Sequence, residues 1–290
     1  MARSGSAASD PSASAILPGQ TVTVLDDADR YGEAFADVYD DWYGATFDTA
    51  GAVEALAALA GAGPVLELGV GTGRLAVPLA VREMLVVGVD ASPRMLDQLA
   101  TNVATVAAAS LEAGREAGQE AGRVVPLLAD MADVALAVRS VGAGPDATGS
   151  DVPGGGYSLV YCAYNTFLNL HTEDAQRRCL AGVAELLAPD GCLVLEAYVP
   201  AAPENIPRTS LDVSRVTTDA VVLTCTEHDA ANQVVTSQHV ALRDGTVRLR
   251  PWRIRYLAPE QLDAMAADAG LVLHDRWADW RGGPFRDGDS

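Results

Sequence analysis

The chain has 290 residues, 49% of them hydrophobic, with a mean hydropathy of +0.12, enough for one large α/β domain or two small ones. Its 39 acidic against 20 basic residues give a net charge of -19, and no run of basic residues occurs, which argues against nucleic acid or an anionic membrane as partner. The four cysteines, Cys162, Cys179, Cys192 and Cys225, show neither C-x-x-C pairs nor metal-like spacing with His, so a reducing cytoplasm and no metal are expected; no apolar stretch has the length of a membrane span.

Residues 1–28 hold no apolar signal region and read as a disordered tail. Residues 29–43 form an aromatic, acidic helical segment containing Tyr39 and Tyr43, and 50–61 place Val53, Leu56 and Leu59 at helical spacing. A strand over 65–68 ends in a turn with Gly69, Gly71 and Gly73, followed by a helix over 74–82. The continuous apolar run 85–90 is of the kind buried in parallel sheets. Ser92 and Pro93 then supply an N-cap and a first-turn proline for a helix through Leu99. Residues 107–123 are low-complexity and read as a surface extension of that helix. A strand over 124–128 precedes Asp130, and the Gly-rich loop 141–156 precedes a strand over 157–162. Thr172 caps a helix through Leu187, and Pro189-Asp190-Gly191 turns the chain into a strand over 192–198. This alternation predicts an α/β fold: a Rossmann-like, doubly wound, mostly parallel sheet spanning residues 29–204.

Beyond it, 219–228, 233–243 and 247–257 read as an antiparallel β insertion within 205–257. Residues 258–290 are expected to complete the core with a helix over 259–269 and a strand over 271–277. The last residues, with three glycines and a proline, do not make a further buried strand. The sheet edge this leaves could be covered in a homodimer.

Three acids end three successive strands: Glu67, Asp90 and Asp130. In an open parallel sheet all three would line one crevice at the carboxyl ends of the strands. Gly69 and Gly71 allow close backbone approach to a ligand, and Glu67 makes the turn hospitable to an ammonium group rather than phosphate. The run Val65-Leu66-Glu67-Leu68-Gly69-Val70-Gly71-Thr72-Gly73 resembles motif I of the class I S-adenosylmethionine (SAM) methyltransferases, and the likeness spans roughly residues 31–200. The resemblance implies SAM as cofactor, with Gly69, Gly71 and Gly73 as its loop and Asp90 on the ribose. It further implies Asp130 and Met131 at adenine, Ala91, Ser92 and Met95 beside the ring, Cys162 near the methionine part, and Tyr39 and Tyr43 as an aromatic lid. The expected activity is methyl transfer by in-line displacement to the O or N atom of a small molecule. The alternatives are an NAD(P)-dependent oxidoreductase, whose G-x-G-x-x-G fingerprint fails here because Arg74 stands at the last glycine, and a non-catalytic SAM-binding module.

Alignment of nucleophile and methyl is mostly positioning, and a base is needed only where the acceptor must lose a proton. Tyr164 and Asn165, straight after the strand over 157–162, are the first candidates for acceptor-side contacts, followed by His171 and His239. The insertion resembles that of methyltransferases acting on aminosugar nucleotides or natural-product intermediates, where it covers the acceptor or forms a dimer contact. Arg243, Arg248, Arg250, Arg253 and Arg255 make it the most basic region of the chain. An anionic acceptor would fit, and so would a solvated strand face, as Val247-Arg248-Leu249-Arg250 alternate.

Overall fold

A computed structural model describes residues 28–44, 47–112, 122–142, 152–201 and 205–286. The expectations for the tail and for most of the low-complexity and Gly-rich stretches lie outside the described residues. Five parallel strands form the first sheet: β1 (Val65–Leu68), β2 (Leu85–Asp90), β3 (Arg123–Leu128), β4 (Tyr157–Cys162) and β5 (Leu187–Leu195), in the order β3-β2-β1-β4-β5. The order reverses between β1 and β4, which opens a crevice at their carboxyl ends. All four residues of β1 are buried, because both sheet faces are covered.

One face packs on α3 (Thr49–Ala60), α4 (Ala76–Val81) and α5 (Pro93–Glu112), around Leu56, Leu79, Leu99 and Tyr161. The other packs on α6 (Val134–Gly142), α7 (Glu173–Leu186) and α8 (Pro259–Asp268), around Leu66, Val87, Val138 and Leu180. Local chemistry fixes the starts: Asp48 accepts from the Gly51 amide at 3.0 Å to cap α3, and Thr172 accepts from the Ala175 amide at 3.1 Å to cap α7. The N-terminal segment forms two short helices, α1 (Arg30–Phe35) and α2 (Tyr39–Tyr43).

The second sheet is an antiparallel meander, β6 (Thr209–Val216), β7 (Ala220–Asp229), β8 (Val234–Arg243) and β9 (Thr246–Arg255). Its register aligns Asp212, Thr224, His239 and Arg250 in one row and Val213, Leu223, Val240 and Leu249 in the next, on opposite faces. The polar row faces α1 and α2. The apolar row faces outward, and Leu249 and Val213 are exposed.

Several expectations need correction. The helix after the glycine turn begins at Ala76 rather than Arg74, and α6 and β6 are further elements; α5 runs on to Glu112, in line with the extension expected from residue 107. No strand forms over 271–277. Among the described residues the C-terminal segment makes one isolated bridge, Trp277 to Pro284. Side-chain bonds hold it elsewhere: the Arg276 guanidinium binds Asp263 of α8 at 2.7 Å, and Asp275 accepts from the Trp277 indole at 2.7 Å.

Candidate active site

The chain leaves β1 through a turn in which Gly69 and Gly71 have φ of +70° and +54°, a region unfavourable to residues with a Cβ. The Gly69 and Val70 amides both donate to the Val89 carbonyl, at 2.8 and 2.9 Å. Asp90 braces the loop: its carboxylate accepts from the Gly71 amide at 2.8 Å and from the Ser92 amide at 2.9 Å. Burial raises the Asp90 pKa, and these amides oppose the rise. A Cβ on Gly69 would come within 2.2 Å of the Thr166 methyl, whereas one on Gly71 would enter open space.

That space is a cleft of about 340 Å³ at the switch point. It brings together Gly69, Gly71, Asp90, Ala91, Met95, Asp130, Met131, Tyr39 and His171 from the sequence reading. Asp130 also caps the turn at Met131–Asp133, accepting from the Ala132 amide at 2.8 Å. An open glycine turn with acids at the tips of two neighbouring strands suits a nucleoside bearing an amino-acid tail.

Other expected cofactor residues do not line the cleft. Glu67 is buried, and its carboxylate accepts from the Tyr161 hydroxyl at 2.6 Å, so two acids rather than three share the crevice. Burial pushes the Glu67 pKa up to about 8. Gly73 is a packing glycine whose Cβ would strike Leu99 at 2.3 Å. Ser92 is buried, donating to Glu33 at 2.8 Å and capping the Met95 amide at 3.2 Å. Cys162 is a core residue whose thiol is raised well above its usual pKa by burial.

Helices α1 and α2 roof the cleft with Tyr31, Gly32 and Tyr39. The fit is close, since a Cβ on Gly32 would meet Ser92 Cβ at 2.3 Å. Tyr43 hydrogen-bonds Tyr31, and its ring lies 5.2 Å from Tyr39 and 5.8 Å from Tyr164. Tyr31, Gly32, Thr166, Thr172 and Arg178 are cleft residues beyond those singled out from the sequence; Tyr31 lay within the aromatic segment 29–43 without a spacing that set it apart.

On the β4 side, Tyr164 and Asn165 are consecutive residues with φ of +52° and +61°. Such strain persists only where surrounding bonds enforce it. Here the Tyr164 amide donates to the Glu196 carboxylate at 2.7 Å, the Asn165 amide to the Glu196 carbonyl at 2.9 Å, and the Tyr198 amide to the Asn165 side chain at 2.6 Å. The Trp280 indole holds the other Glu196 oxygen at 3.1 Å. Tyr164 stands against Phe47 at 4.0 Å, and burial pushes its phenol up to about 12, which makes it a donor rather than a base. Thr166, Asn169 and Thr172 reach the cleft from the same side.

The two candidate histidines separate. His171 lines the cleft and pairs with the Arg253 carbonyl at 2.9 Å; a carbonyl only accepts, so Nε2 carries the proton. His239 lies behind the roof, ringed by Phe35 at 5.6 Å, Trp42 at 5.8 Å and Trp252 at 6.2 Å, with Nδ1 2.7 Å from the Thr224 hydroxyl. Burial, reinforced by Arg250, lowers its pKa.

The solvated strand face expected around Arg250 is not found. Arg250 is 3% exposed and forms a bidentate pair with Asp37 at 2.6 and 2.9 Å. Arg248 joins Asp37 at 2.7 Å, Arg243 binds Asp219 at 2.6 Å and Arg255 binds Glu173 at 3.3 Å. These cations are matched by acids of the chain.

The family model described as "Methyltransferase domain" matches residues 65–138. Among solved structures, the CcbJ methyltransferase from Streptomyces caelestis is 36% identical, with 91% of this chain and 95% of that chain covered at a TM-score of 0.72. DesVI from Streptomyces venezuelae is 19% identical, with 86% and 98% covered at 0.57. The sugar N-methyltransferase KedS8 from Streptoalloteichus sp. is 19% identical, with 86% and 89% covered at 0.55; the last two likenesses concern the fold. No curated protein sequence matches. These comparisons favour methyl transfer over the oxidoreductase reading: the chain belongs to the SAM-dependent methyltransferases and is an enzyme of that family.

Proposed function

We propose that the acceptor is a small polar molecule carrying an O or N nucleophile, and that it meets the cofactor under the roof formed by α1 and α2. The observation that carries this reading is the roofed cleft, whose size falls in the range of small-molecule sites and whose far wall is polar, with Asn169, His171 and Thr172. The cofactor supplies a methyl group already activated on a sulfonium. Asp90 receives the ribose hydroxyls, Asp130 and Met131 the adenine edge, Ala91 and Met95 the ring faces, and the turn at Gly69 and Gly71 the amino-acid tail. Glu67 and Ser92 support that loop from behind, together with Gly73. Tyr39 presents an aromatic face toward the site of positive charge, and Tyr43 packs against it at 5.2 Å.

The remaining work is alignment and exclusion of water. Tyr164 and Asn165, held by Glu196, fix the acceptor side of the methyl path. His171, which lines the cleft, is the acceptor-side candidate for proton transfer, whereas His239 supports the roof. A screen of polar amines and alcohols with a labelled methyl donor tests the reading. Transfer to at least one, with a pH–rate profile that His171→Gln flattens, is expected; transfer only to protein or nucleic acid would overturn it.

We further propose that the chain works in the cytoplasm as a homodimer joined through the outer face of the second sheet. Leu211, Val213, Val216, Leu242, Val247 and Leu249 are between 38% and 68% exposed there. Together they form a contiguous exposed apolar patch, the kind of surface that marks a protein interface. Sedimentation is expected to give a dimer that Val213→Asp with Leu249→Asp splits; a monomeric wild type would contradict it. Among the described residues no helix is long and apolar enough to cross a membrane.

A further inference from the structure

The roof over the cleft is short, and two helices of six and five residues cannot hold their place by themselves. Three acids, each on a different side, do the holding. Glu33 accepts from Ser92 at 2.8 Å and from the Arg94 amide at 3.2 Å, tying α1 to the start of α5. Asp40 accepts from Thr72 at 2.6 Å and from Asn102 at 3.1 Å, tying α2 to the glycine turn. Both ties lead back to the first sheet.

The third leads away from it. Asp37, between the two helices, is gripped by Arg250 and Arg248 of β9. Arg250 also donates to the Ala34 carbonyl and lies 5.5 Å from the centre of the Trp42 ring. Its guanidinium is buried, and among the described residues its Nε has no hydrogen-bond partner, so Asp37 supplies most of its compensation. A buried cation is costly when its carboxylate leaves and recovers that cost only on reaching water. Lifting the roof would therefore break this pair and bring Arg250 and Asp37 into water.

We propose that Arg250 is a positioning residue for methyl transfer: from the second sheet it latches the aromatic roof, through Asp37 and the Ala34 carbonyl, and breaking this latch controls how fast the nucleoside product leaves. Arg250 is not among the residues that line the cleft. It acts by holding Tyr31 and Tyr39 over the cleft. The proposal rests on the placement of the cofactor given above.

The test is the dissociation rate of S-adenosylhomocysteine from wild type, Asp37→Asn, Arg250→Lys and the double variant, with KM for SAM and kcat measured alongside. Asp37→Asn keeps the size of a partly exposed side chain, so folding is not at stake as it is for Arg250. Each single variant is expected to release the nucleoside about tenfold faster, the scale of a charge-assisted hydrogen bond, and to raise KM for SAM with kcat per bound cofactor changed less. The double variant should be no worse than either single one, because both remove the same latch. Folded variants whose release rates and KM stay within twofold of wild type would overturn the proposal. If wild type binds no S-adenosylhomocysteine at all, the cofactor placement fails instead.

Discussion

The two sheets of this protein invert each other. In the first, apolar side chains point into two cores and the chemistry is confined to the strand tips, where Asp90 and Asp130 border the cleft. In the second, the polar row Asp212, Thr224, His239 and Arg250 faces the body of the protein while the row Val213, Leu223, Val240 and Leu249 faces out. The first sheet is stabilised by burial and presents function at its edge. The second turns its charged row inward, where Arg250 and Arg248 grip Asp37 between α1 and α2, and leaves its apolar face exposed.

If that contrast is right, matched substitutions will have unequal effects. Leu66→Ala, in the core of the first sheet, is expected to cost about 3 kcal/mol in urea denaturation, the lost burial plus the cavity left behind. Leu249→Ala should change the stability of the dilute monomer by about 0.5 kcal/mol or less. Equal costs would mean that the outer face of the second sheet is packed within one chain.

Next in size is the glycine turn. Gly69→Ala forces a Cβ into a left-handed backbone and against Thr166, a cost of at least about 2 kcal/mol, and calorimetry should show S-adenosylhomocysteine affinity reduced about thirtyfold or more.

Glu67 sharpens the comparison through pH. Its folded pKa, about 8, lies above the ordinary 4.5, so between those values the folded chain keeps a proton that the unfolded chain has released. Stability from this group is therefore full below pH 4.5 and falls as pH rises toward 8, by up to about 1.4 kcal/mol per unit, then levels off. The difference in urea stability between wild type and Glu67→Gln should follow that course; a flat difference would mean that Glu67 is ionised in its burial site.

The first sheet was legible because its signals are local. Continuous apolar runs, glycines at a turn and Thr172 before a helix each act within a few residues, and the order of the strands follows from their alternation with helices. The acids at strand tips could be placed for the same reason, apart from Glu67: that it turns inward depends on Tyr161, 94 positions along the chain. The second sheet was only partly legible. Its hairpin turns showed, but alternation does not say which face is buried, and Arg250 read as solvated because its partner Asp37 is 213 residues away. The strand expected over 271–277 is absent likewise: its apolar residues Val272 and Leu273 find no strand to pair with among the described residues and stay exposed.

The most direct test of the cleft is calorimetric binding of S-adenosylhomocysteine and of NAD to wild type and to Asp90→Ala. Asp90 both braces Gly71 and faces the cleft, so wild type should bind the homocysteine nucleoside and not NAD, and Asp90→Ala should lose that binding by about a hundredfold, the scale of two charge-assisted hydrogen bonds. Undiminished binding by Asp90→Ala, or binding of NAD in place of the homocysteine nucleoside, would contradict the account.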